Sequence, residues 1–195
     1  MNRRAVIGAG LTVIFALSAC SALGDDPSGS IAPEATSSSS NSAAPFALSA
    51  GDTQFDPADD VAGVEACDGR SARTVLEEFD RAASEDPSVA GGETMLQCGY
   101  PDSQGWLHIA DGHTEDFAEI ADALDVGWED VAWFAIQTAL EQPTQVEMYR
   151  EDIANYDILI ELVDTSDGDL VNSWMVTVGV GLETNRIITS FPDEQ

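Results

Sequence analysis

The sequence predicts an α+β domain: about three helices followed by a four-stranded antiparallel sheet, with an additional short hairpin. Two observations carry this. Between residues 71 and 142 apolar residues recur at three- and four-residue spacings, and from Thr144 onward the spacing changes to two. The links between the later apolar runs are short and polar, which favours strands that double back on their neighbours over crossover connections. No internal repeat is visible.

Taken in order, "SARTVLEEFDRAASE" (71–85) sets Val75, Phe79 and Ala82 at helical spacing, with Thr74 and Glu77 placed as a capping box and Pro87 beyond the end. "TMLQCGY" (94–100) reads as a strand, "PDSQG" as a turn and "WLHI" (106–109) as a second strand, which together make the hairpin. On that strand Trp106 and His108 share one face and Leu107 and Ile109 the other. After Gly112, Thr114 caps a second helix carrying Glu115 and Asp116 in its first turn, where negative charge suits the helix dipole. Phe117, Ile120, Ala121 and Leu124 form its apolar stripe, and Gly127 breaks it. A third helix runs from Trp128 to about Gln142, with Trp128, Val131, Phe134, Ala135 and Thr138 on one side and Pro143 after its end. Trp128, Trp133, Phe134 and Trp174 are expected in the core. "TQVEMYR", "YDILIELVD", "LVNSWMVTVGV" and "RIITSFP" then read as four strands separated by "EDIAN", "TSDGD" and "LETN".

The N-terminal segment has a different character. Arg3 and Arg4 precede an apolar run from Ala5 to Ala16, too short for a membrane-spanning helix, and the run leads into Leu17-Ser18-Ala19-Cys20. These four residues resemble the lipobox of bacterial lipoproteins. That resemblance implies a signal peptide over 1–19, a diacylglycerol on the Cys20 thiol and cleavage before Cys20, with further acylation such as palmitate. Two or more acyl chains anchor a protein stably. The expected location is the cell membrane, lipid-anchored on its extracytoplasmic face. Arg3-Arg4 also partly resembles a twin-arginine export signal, with Asn2 where Ser or Thr is usual. Residues 20–53 form a Ser-, Ala- and Pro-rich stretch that cannot bury enough surface to offset the entropy of ordering, and are expected to be a disordered tether. Residues 56–195 are expected to be a single acidic domain.

With Cys20 assigned to lipid, Cys67 and Cys98 are an even pair in an exported chain, where a disulfide is the expected state. The formal charge of the 195-residue chain is −29, and loss of Arg3 and Arg4 with the leader takes it to −31; the seven basic residues are all arginines. Such a surface repels phosphate backbones, so nucleic acid is unfavoured as a partner. It suits cations and basic ligands: a basic protein or a cationic envelope component, besides the membrane that holds the lipid. Overall this points to a cell-envelope lipoprotein with a binding or structural domain.

Metal signals are weak. "DTSDGD", Asp164 to Asp169, has Ser166 and Gly168 where a calcium loop needs acids and Met175 where it needs a glutamate, so it reads as a hairpin turn. His108 and His113, the two histidines of the chain, are five apart rather than four; Asp111 and Asp116 could complete a site, but the spacing does not require one. No metal or cofactor is expected. Phosphate-binding glycine loops, GxSxG elbows and CxxC pairs are absent from the sequence.

One further resemblance covers roughly the last 95 residues. "WLHIADGHTEDF", the Trp-led "WEDVAWFAIQTALEQP" and the closing "RIITSFP" are similar in layout to bacterial toxin nucleases of the barnase, EndoU, colicin and RelE-like group. The resemblance implies, as the alternative function, a metal-independent ribonuclease. His113 would then be the general acid or base, Thr189 or Ser190 would contact the scissile phosphate, and Arg186 or Arg150 would steady the charge that develops on it.

Overall fold

A computed structural model describes residues 44–57 and 61–195. The lipobox, Cys20 and most of the tether lie outside the described residues. Eleven short elements follow in order. β1 (Phe46–Ala50) and β2 (Thr53–Gln54) precede a 3₁₀ turn (Val64–Cys67), β3 (Val75–Arg81) and β4 (Gly92–Gln97). Two helices come next, α1 (Trp106–Leu124) and α2 (Trp128–Glu141), then β5 (Gln145–Arg150), β6 (Ile153–Asp164), β7 (Leu170–Gly181) and β8 (Arg186–Glu194). All eight strands belong to one curled sheet in the order β2-β1-β6-β7-β8-β4-β3, with β5 paired to β6 beside β1. Every pairing is antiparallel except β4 with β8, which makes the sheet mixed.

This corrects the expected three helices and four-stranded antiparallel sheet. The meander β5 to β8 is present, and α2 lies where the third helix was expected. The first expected helix, 71–85, is instead strand β3 at the sheet edge, paired with β4. Its Glu77 and Glu78 favour a helix locally, but Phe79 and Arg81 alternate into the core, and charged residues on the outward side are ordinary for an edge strand. Arg81 is only 8% exposed; its Nη2 donates to the Ala90 carbonyl and the guanidinium lies 5.9 Å from the centre of the Tyr156 ring.

The expected hairpin is also absent. β4 pairs with β3, and "WLHI" is the first turn of α1, so Trp106 and His108 do not share a strand face. Trp106, Ile109, Phe117, Ile120 and Ala121 are buried along α1, a helical stripe that runs straight through Gly112. Thr114 caps nothing; inside the helix its Oγ1 donates to the Ala110 carbonyl at 2.6 Å. An alanine Cβ at Gly112 would meet no atom within 4 Å. Gly112→Ala should therefore raise stability by about 0.5–1 kcal/mol, read as a higher urea midpoint at unchanged m-value.

The expected tether, 20–53, overlaps ordered strand: residues 46–50 form β1 and 53–54 form β2, with Phe46 opposite Asp164 and Ala50 opposite Ile160 on β6. The ordered domain thus begins ahead of residue 56. Ala154, Tyr156, Ile158, Ile160 and Leu162 of β6, with Trp174, Val176, Val178 and Val180 of β7, point to one face of the sheet and are buried there with the two helices. Trp106 stacks on Trp128 with ring centres 5.0 Å apart and meets Trp133 edge-on at 5.7 Å; of the four aromatics expected in the core, Trp133 and Trp174 are buried, while Trp128 and Phe134 are partly buried against it. Cys67 and Cys98 are joined by a disulfide, with their Cα atoms 5.5 Å apart. Asp164 to Asp169 is the β6–β7 turn: the Ser166 side chain first, and then Ser166 N donating to Asp164 Oδ1 at 2.8 Å, hold that carboxyl below its usual range, and Gly168 takes φ +81°.

Candidate functional site

Because side chains alternate along a strand, the residues between the core positions of β6, β7 and β8 share the opposite face of the sheet. The register lines them up in rows: Asn155, Gly179 and Thr189; then Asp157, Thr177 and Phe191; then Leu159, Met175 and Asp193. Glu147 on β5 lies opposite Asn155, and Glu161 continues the same side of β6. The helices pack on the other face. This side therefore presents Leu159, Met175 and Phe191, each half-buried, among the carboxylates of Glu147, Asp157, Glu161 and Asp193.

At one end of this face is a cleft of about 260 Å³ lined by Tyr149, Arg150, Ile153, Asn155, Gly179, Ile188, Thr189 and Phe191. Gly179 makes the floor possible: a Cβ there would come within 3.3 Å of the Thr189 methyl group and 3.7 Å of Asn155 Oδ1. Tyr149 stands 62% exposed at the rim, with the Arg150 guanidinium 4.9 Å from its ring centre. The volume is below that of typical drug-sized sites and suits one inserted side chain or a small molecular group.

Asp157 is the electrostatically perturbed group of the face. Burial raises its pKa most, the neighbouring Glu147 charge raises it further, and the hydrogen bond from the Thr177 hydroxyl at 2.7 Å opposes both. The folded protein holds this proton more tightly than the unfolded chain. The ionised carboxylate therefore opposes folding at pH values above the raised pKa, and that penalty is relieved as pH falls through it. A cation bound beside Asp157 would lessen the same penalty.

The residues named by the nuclease resemblance are only partly brought together. Arg150 and Thr189 line the cleft, and His113 stacks on Phe191 from the flank, with ring centres 5.3 Å apart. His113 lies within α1 rather than ahead of a helix, and its Nδ1 is 3.1 Å from Asp116 Oδ2. Ser190 faces the other way and is 0% exposed in the core. Arg186 lies at the start of β8, opposite Gly181 and beside Met95, and is not part of the cleft wall. Sequence reasoning did not single out Tyr149, Asp157 or Phe191. The signal was the period of two along β6: once Tyr156 and Ile158 are assigned to the core, Asn155, Asp157 and Leu159 must share the other side.

Among the described residues no helix is long and apolar enough to cross a membrane, and no group of three or more His, Cys, Asp and Glu side chains is placed to hold a metal. Comparison of the chain with protein-family models, with curated proteins and with solved structures finds no match.

Proposed function

We propose that the chain is a lipoprotein, anchored through Cys20 to the extracytoplasmic face of the cell membrane, whose acidic domain is a binding module for a basic protein or cationic envelope component. The face of the sheet opposite the core is its binding surface. The observation that carries this reading is an apolar cleft with an exposed aromatic rim on the same face as Glu147 and Asp157, with Asp193 and Glu161 farther along it. An apolar side chain seated in the cleft supplies a desolvated anchor, while the carboxylates attract cations and select against anions. Arg150 at the rim matches a polar or carboxylate group on the same ligand. Anchoring rests on the lipobox; the disulfide of Cys67 and Cys98 fits an oxidising compartment.

Two measurements test this. Labelled fatty acid should enter the wild-type protein in cells and not a Cys20→Ala variant; release of unmodified wild type into the medium overturns the anchor. For the binding face, the probe is a peptide of alternating arginine and leucine, followed through backbone amide shifts. Shifts should concentrate on β6, β7 and β8, weaken with added salt, and require at least tenfold more peptide in the Asp157→Asn, Phe191→Ser double variant. Shifts spread evenly over the acidic surface, or unchanged by the two substitutions, overturn the face assignment.

A further inference from the structure

We propose that His108 and His113 together bind a divalent transition-metal ion of the zinc, copper and nickel class, on the flank where α1 passes β8. This site adjoins the proposed binding face, since His113 stacks on Phe191 of the cleft, but it does not rest on that face's binding role. The two imidazoles are five residues apart in sequence, yet α1 brings their ring centres within 6.0 Å at an interplanar angle of 89°. A zinc–imidazole bond of about 2.0–2.1 Å puts each ring centre roughly 3.2 Å from the ion, so two rings sharing one ion have centres roughly 5 to 6.4 Å apart. The observed separation lies inside that range.

The hydrogen bonds decide which nitrogens are free. His108 Nδ1 is 2.9 Å from the Pro101 carbonyl oxygen, which can only accept, so Nδ1 carries the hydrogen. His113 Nδ1 faces the Asp116 carboxylate in the same way. In the neutral rings the lone pair is therefore on Nε2 in both cases, and neither Nε2 has a hydrogen-bond partner among the described residues. An imidazole whose second nitrogen donates to a carboxylate or a backbone carbonyl is the usual arrangement of a metal-ligating histidine; it fixes the tautomer, orients the ring and strengthens the ligating nitrogen. The His113 ring is further held by its stack on Phe191. Asp111, Glu115 and Asp116 on the same stretch of α1 raise the local cation concentration.

Since no third protein ligand converges among the described residues, water completes the coordination. The site is thus open and exchangeable, unlike a closed structural zinc centre. Imidazole nitrogen selects this class of ion over calcium and magnesium, which take oxygen ligands. Asp116 acts as a positioning residue for His113.

The test uses the full chain and copper(II) as probe. Its electron paramagnetic resonance spectrum at one equivalent should show coupling to two imidazole nitrogens. His108→Ala should leave one nitrogen and weaken binding at least tenfold. His113→Phe, which keeps an aromatic ring on Phe191 while removing the ligand, should do the same. Asp116→Asn should weaken binding about tenfold with both nitrogens retained. An oxygen-only copper spectrum in the wild type, or affinity within twofold of wild type in both histidine variants, overturns the proposal.

Discussion

Gly105→Ala should cost the domain at least about 3 kcal/mol, seen as a collapse of the urea midpoint. Two separate effects add. Gly105 has φ +80° and ψ −165° as the N-cap of α1, a region nearly closed to residues with a Cβ, and such strain costs about 1–3 kcal/mol by itself. A Cβ would also lie 2.5 Å from the Gln97 carbonyl oxygen and 3.0 Å from Gly99 Cα, both backbone atoms that no side-chain rotation can move aside. Relief requires shifting either β4 or the start of α1. That junction is tied on several sides: Gly105 N donates to Ile188 O, Leu107 N donates to Cys98 O, and Cys98 N donates to Thr74 O, each at 2.9 Å. The helix cannot move alone. Gly112, seven residues further on, is the control, because the same substitution there is expected to stabilise. A Gly105→Ala midpoint within 1 kcal/mol of wild type would show that the backbone at the helix start is not constrained as described.

The two glycines also show what could be read from the sequence. Glycine disfavours helices, so the sequence places the second helix only after Gly112, and the four residues of "WLHI" cannot distinguish a period of two from one of 3.6. Over the longer window, Trp106, Ile109, His113, Phe117, Ile120 and Leu124 keep helical spacing throughout. The pattern was legible once glycine's preference, worth about 1 kcal/mol, was weighed against the burial of several large side chains. β5 to β8 were legible because their alternation is long and their turns are local. β1 was not: "FALSA" becomes a strand only by pairing with β6, more than a hundred residues away, and nothing local reveals that. At the candidate site, Arg150 and Thr189 line the cleft, whereas Ser190, the alternative to Thr189 under the nuclease resemblance, faces the core. Neighbouring residues on a strand face opposite sides, so only the register could choose between them. Tyr149 and Phe191 were missed because an aromatic in a strand reads as core until the layers of the fold are known.

Removing the disulfide is the second large perturbation, and its effect should exceed that of any surface change. The Cys67–Cys98 bond spans a sequence separation of 31 residues, for which the loss of loop-closure entropy in the unfolded chain predicts about 3–4 kcal/mol of stabilisation. For a domain near 150 residues, that corresponds to a fall in Tm of roughly 10 °C. Both sulfur-bearing residues are buried, so Cys67→Ala with Cys98→Ala leaves small apolar side chains in place and isolates the crosslink from polar effects. The site of the bond adds a local term. Cys98 follows β4, accepts from Leu107 N at the start of α1, and fastens this junction to the 3₁₀ turn at Val64–Cys67. If the crosslink braces the junction, Gly105→Ala and the cysteine pair should not be additive: once the bond is absent, β4 and α1 can separate to admit the alanine Cβ, and the glycine substitution should cost less. Calorimetry of the wild type, the cysteine double variant, Gly105→Ala and their combination measures that coupling. A cysteine variant within 1 kcal/mol of wild type would refute the crosslink as a main support of the fold, and strict additivity would show that its contribution lies in the unfolded chain rather than at the junction.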